Sequence, residues 1–180
     1  MKKIIAIAAF SIVGMAAKAQ VASTATQTVN LNLSNAIELT FTGSGTATGA
    51  AVNLAFNTVN DYANGVQSSA QELKVRSNKK FDVTVKTNNA SFSYTGSTTP
   101  APVMPVSGVL GLKVSANGTG GTIAGSFAGY TSLSATAANL IANGLNGGNQ
   151  TFSVMYNATP GFTYPAGTYT VDVVYTATQQ

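Results

Sequence analysis

The chain has 180 residues, nine Lys and Arg against five Asp and Glu, a formal net charge of +4, and no His, Cys or Trp. Side-chain catalysis and transition-metal ligation draw mostly on groups that are missing here, so neither an enzyme nor a cofactor is expected. Disulfide stapling is excluded outright.

The N-terminus, MKKIIAIAAFSIVGMAAKAQ, places Lys2 and Lys3 before an uncharged, mostly apolar run at 4–17 and then Ala17-Lys18-Ala19. This reads as a secretory signal peptide over residues 1–19, cut before Gln20, with 20–180 as a single β-sandwich domain. The expected destination is export, to the periplasm, the cell surface or the medium. The apolar run is short for a bilayer span, and no later stretch approaches roughly 20 apolar residues, so no transmembrane segment is expected. Loss of Lys2, Lys3 and Lys18 leaves six cations against five acids, a net charge of +1 over 161 residues. That near-balance removes the case for a nucleic-acid or anionic-membrane partner, and the length suffices for one hydrophobic core.

The mature start, QVASTATQTVNLNL, has a polar lead and then Val29, Leu31 and Leu33 at period two. This is the pattern of a donor strand that adds to a neighbouring copy, with main-chain pairing for affinity and alternating side chains for register. It is equally the pattern of a first strand in the chain's own sandwich. Further strands are predicted at 37–42, 51–56, 72–76, 91–94, 109–115 and 151–156, separated by turn-rich segments at 43–50, 95–105 and 115–129. In KKFDVTVKT, Phe81, Val83 and Val85 share one face, with Asp82, Thr84 and Lys86 opposite. A short helix is predicted at 134–143, capped by Ser134 and ended by Gly144. In GTYTVDVVYTAT a last strand carries Tyr169, Val171, Val173 and Tyr175 on one face, and Val174 interrupts the polar side.

Two constellations invite a partner. ELKVRSNKKFDVTVK holds Lys74, Arg76, Lys79, Lys80 and Lys86, and reads as a hairpin turning at Ser77 and Asn78. Its outward cations form either a patch for an acidic glycan or headgroup, or a solvated sheet face that deters edge-to-edge aggregation. Tyr156, Phe162 and Tyr164 crowd the segment YNATPGFTYPAGTY, either as a carbohydrate platform or as core and turn packing. The acids Glu38, Asp61, Glu72, Asp82 and Asp172 nominate no catalytic pair by spacing, and no calcium loop is present.

About nine strands, at most one short helix and no alternation of strand with helix point to an all-β fold, an antiparallel sandwich of two sheets. The C-terminal run GGNQTFSVMYNATPGFTYPAGTYTVDVVYTATQQ, with Pro165, Ala166, Gly167, Thr168 and Tyr169 leading into the last strand, resembles bacterial secreted proteins of the fimbrial-subunit and spore coat protein U type. LKVRSNKKFDVTVKT is similar to the paired strands those proteins place upstream. The resemblance implies an immunoglobulin-like β-sandwich at the cell surface, used in adhesion or assembly. Many fimbrial subunits carry a disulfide, which this chain cannot form. The expectation is a secreted or surface-exposed structural or adhesive protein, a fimbria-like subunit that self-associates by strand addition. The alternative is a glycan- or peptidoglycan-binding module of the cell envelope.

Overall fold

The computed structural model describes residues 22–180, so the expected leader and its cleavage site lie outside the described residues. These residues divide between Leu33 and Ser34. Residues 22–33 are exposed and carry no helix or strand. Residues 34–180 form an all-β antiparallel structure.

In chain order the elements are β1 (Ile37–Phe41), α1 (Val59–Asn64), β2 (Val66–Gln67), β3 (Gln71–Ser77), β4 (Phe81–Thr87), β5 (Ser93–Thr95), β6 (Leu110–Asn117), β7 (Thr122–Ile123), β8 (Thr131–Ser132), β9 (Ala138–Gly144), β10 (Gly147–Ala158), β11 (Thr168–Thr170) and β12 (Val173–Gln179). One sheet has the order β1-β3-β10-β6-β8, with β2 on the end of β10; the other runs β12-β4-β9-β7. A separate ribbon pairs β11 with β5.

Period two places the core. Leu73 and Val75 of β3, Phe152 and Val154 of β10, and Phe81, Val83 and Val85 of β4 are buried, while Arg76 and Lys86 are exposed. Each sheet thus buries one apolar face against the other.

Several expectations are corrected. β3 and β4 do not form a hairpin: β3 pairs with β1 and β10, β4 with β12 and β9, and the chain crosses between sheets at Ser77–Lys80. Crossing lets both apolar faces look into one core from opposite sides. The predicted helix at 134–143 is instead β9, where Leu140 and Ile141 are consecutive buried residues beside a register shift against β4. Burial of those two side chains overrides the local helical tendency of TAANLIAN. The helix lies earlier, at α1, started by a capping box of Thr58 and Asp61. Residues 28–33 and 51–56 carry no strand. The predicted last strand is two, β11 and β12, and short added pairings raise the expected nine strands to twelve among the described residues.

The two sheets share their ends. Ile37, Ser77 and Gly147 lie level in the first sheet, and Phe81 and Gln179 in the second. Gln179 Nε2 ties them, donating to Ala36 O (2.8 Å) and Ser77 Oγ (3.0 Å). This is the Ser77 end. The opposite end carries Ala158 and Leu110 of the first sheet and Val173 and Thr87 of the second.

Candidate functional site

The sheets are closed unequally at their edges. On one side the edges are β7 and β8, two residues each, too short to template another strand. On the other side the edges are β1 with five residues and β12 with seven, each paired on one flank only.

Between β1 and β12 runs an apolar groove of about 360 Å³, walled by Leu39 and Phe41 on one side and Val173, Tyr175 and Ala177 on the other, with Leu73 at its floor. Those five wall residues pack against the core yet remain half-exposed, as inward side chains at a partly open seam would, and Ala47 of the loop after β1 also lines the groove. Tyr175 organises the groove. Its ring meets Phe41 edge-on at 6.1 Å and Phe152 at 6.4 Å, and its hydroxyl lies 2.7 Å from that of Tyr156. Burial raises the Tyr175 phenol well above its ordinary range, helped by the neighbouring Tyr156, and burial raises Tyr156 as well. Both rings are therefore neutral hydrogen-bonding groups at physiological pH.

The candidate donor residues are all strongly exposed, Val29 at 74%, Leu31 at 84% and Leu33 at 88%, and the two leucines exceed every other large apolar side chain among the described residues. Six extended residues, 28–33, reach about 20 Å, close to the length of β12.

The candidate cations are not one patch. Lys74 sits half-buried on the outward face of β3, opposite Thr151. Arg76 is taken by Glu38, which accepts from its Nε at 2.6 Å and forms an ion pair with the guanidinium. Lys79 and Lys80 are exposed in the crossing turn, and Lys86 projects from the other sheet, opposite Val174. A shallow depression of about 580 Å³ at the Ser77 end is lined by Glu38, Arg76, Asn78 and Asn146, with its guanidinium already neutralised.

The aromatic triplet also divides. Tyr156 is 8% exposed and belongs to the core. Phe162 stacks on Tyr62 at 5.6 Å, and Tyr62 meets Phe56 at 5.4 Å. Tyr164 lies 6.4 Å from Tyr169, which in turn lies 5.0 Å from Tyr94 across the β5–β11 ribbon. Tyr94 donates to Ala166 O (3.1 Å) and Tyr169 to Pro165 O (2.9 Å), so these phenols fasten the 160–167 loop. Tyr62 and Tyr94 escape sequence reasoning, because only the capping box at Thr58 and the pairing of β5 with β11 bring them here.

The fold and the seam together define an all-β sandwich with a half-open apolar groove between two edge strands and the loop after β1. The chain matches no family model and no curated protein.

Proposed function

We propose that this protein is an exported structural or adhesive subunit of the fimbria-like kind, which assembles when residues 28–33 of one copy enter the β1–β12 seam of another. One observation carries this reading. The chain holds an exposed apolar segment at period two and, in the same fold, a half-exposed apolar groove flanked by two open strand edges. Strand addition satisfies both: backbone pairing along β12 gives affinity, and Val29, Leu31 and Leu33 turn into the groove. Burial of each side chain stabilises by about 1.5–3 kcal/mol, offset in part by ordering the segment.

The test compares chain 20–180 with chain 34–180 by light scattering and gel filtration. The first should form ladders or filaments that the second does not, while both keep the same β-sheet spectrum. A first chain that stays monomeric at high concentration and is retained by purified cell wall would replace this reading with the glycan-binding one, for which the exposed ring of Phe162 is the starting point.

A further inference from the structure

We propose that the aromatic end of the domain, around Phe162 and Tyr62, is the seat on which the Ser77 end of the next copy rests; this rests on the strand-addition reading above.

The geometry of the link supplies the first argument. Only residues 34–36 separate Leu33 from β1, and three residues span at most about 10 Å. A copy that lends residues 28–33 must therefore hold its own Ser77 end, where β1 begins, close to wherever its Leu33 leaves the acceptor's groove. Two directions are open. β12 runs from the aromatic end, at Val173, to the Ser77 end, at Gln179, where its side chain meets Ala36 and Ser77. A strand added antiparallel to β12 leaves the groove at the aromatic end, and one added parallel leaves it at the Ser77 end.

Three features favour the antiparallel direction. Along β12, the longer of the two open edges, the antiparallel direction repeats every described pairing in the fold, and such ladders are slightly the more stable. The parallel direction would bring two Ser77 ends together, setting the exposed Lys79 and Lys80 of one copy against those of the other. Asp61 and Asp172 instead mark the aromatic end, partly offset by Lys86, as Asp82 partly offsets Lys79 and Lys80 at the Ser77 end. Finally, the aromatic end carries the exposed ring: Phe162 is 68% exposed although it stacks on Tyr62. The Ser77 end is largely polar, with Gln179 bound to Ala36 and Ser77 and Gln180 to Asp82, and its apolar side chains Ile37 (38%) and Leu145 (46%) are less exposed than Val59 (73%) and Phe162 (68%) at the aromatic end. Unlike surfaces at the two ends fit a head-to-tail contact, which does not close on itself and so extends as a fibre.

The absence of Cys makes the test clean. Chains 20–180 carrying Thr163→Cys, exposed beside the intact Phe162 ring, are mixed with chains carrying Lys79→Cys or, separately, Asn146→Cys, and joined with a short bismaleimide. Cross-linking between the Thr163 variant and either partner is the expected result. Cross-linking confined to two Lys79 or two Asn146 variants would mean paired Ser77 ends and a closed dimer, overturning the proposal while leaving strand addition intact. Failure of the unsubstituted chain to assemble at all would overturn both. As a second measurement, Phe162→Ser should speed dissociation of assembled subunits roughly tenfold or more while lowering the melting of chain 34–180 by no more than a few degrees, the share of its stacking on Tyr62. Unchanged dissociation overturns the proposal. So does capture of the monomer by cell-wall polysaccharide that Phe162→Ser abolishes without affecting assembly, which would make the ring a sugar platform.

Discussion

Asn88 and Asp172 hold each other reciprocally across 84 residues of sequence: Asn88 Nδ2 donates to Asp172 Oδ2 (2.8 Å), and Asp172 N donates to Asn88 Oδ1 (3.1 Å). A third bond, from Asn88 N to Asp172 O (3.0 Å), closes the clamp. This is where the last run of alternating residues breaks into β11 and β12, so the clamp aims one piece at the β5 ribbon and the other along the seam. Asn88→Ala should destabilise the domain by about 1 kcal/mol, since the bonds are solvent-exposed. Asn88→Asp should cost more, because it sets two carboxylates together, and acid should relieve that excess. Urea denaturation at neutral and acid pH measures both; equal costs at the two pH values for Asn88→Asp would rule out the clamp as its origin.

The Tyr156 and Tyr175 hydroxyls, 2.7 Å apart, form a pair in which either can donate. Removing one hydroxyl leaves the other without its partner, so Tyr156→Phe or Tyr175→Phe alone should cost about 1–2 kcal/mol. The double variant should cost clearly less than the sum of the two, because no orphan phenol remains. The same burial sets an alkaline limit. Both phenols are raised in the folded state. Their contribution is therefore full below the unfolded phenol value of about 10 and is lost as pH rises above it, by up to about 1.4 kcal/mol per pH unit for each ring. The double Phe variant should flatten that alkaline slope in a urea series; an unaltered slope would place its origin elsewhere.

The sequence carries the sheet faces far better than the sheet partners. Phe81, Val83 and Val85 declare their inward face by alternation alone, and burial of all three follows. Which strand lies beside them is another matter: Ser77 and Asn78 look like a hairpin turn, yet β4 finds its neighbours at β9 and β12, dozens of residues away. Long-range pairing leaves no local mark. The same limit applies to the seam. Val29, Leu31 and Leu33 announce a strand-forming segment, but Leu39 and Tyr175 become facing walls only once β1 and β12 are known to be edges on one side. In β9, helix-favouring Ala and Leu mislead because the burial of Leu140 and Ile141 decides the conformation.

Helix α1 should respond to acid on its own. Asp61 Oδ2 accepts from Thr58 N (2.7 Å) and Asn57 N (2.8 Å), and these backbone bonds, that of Thr58 foremost, lower its carboxyl below the ordinary value. A lowered folded value means the cap stabilises fully above the unfolded carboxyl value of about 4 and is lost as pH falls through the folded one. Amide resonances of Asn57 and Thr58 should shift together with a midpoint below that of a free Asp, and Asp61→Asn should abolish the shift. A midpoint at or above the free value contradicts the cap. Since Tyr62 of this helix carries the exposed ring of Phe162, the aromatic end should loosen with it.

Register along the seam gives the most selective test of strand addition. Period two turns Leu31 into the groove and Asn30 away from it, so the same substitution at adjacent positions should have unequal effects. Leu31→Asp replaces a buried apolar contact with a carboxylate that finds no partner among Leu39, Phe41 and Val173, and assembly should weaken by about a hundredfold or more. Asn30→Asp keeps the carboxylate in solvent and should change assembly by less than about threefold. Because Leu31 is 84% exposed in the single chain, neither variant should alter the urea midpoint of the monomer. Concentration-dependent light scattering reads the first comparison and urea denaturation the second. Equal weakening at both positions would mean that residues 28–33 act through charge or bulk, without the alternating insertion that the open edges of β1 and β12 are shaped to receive.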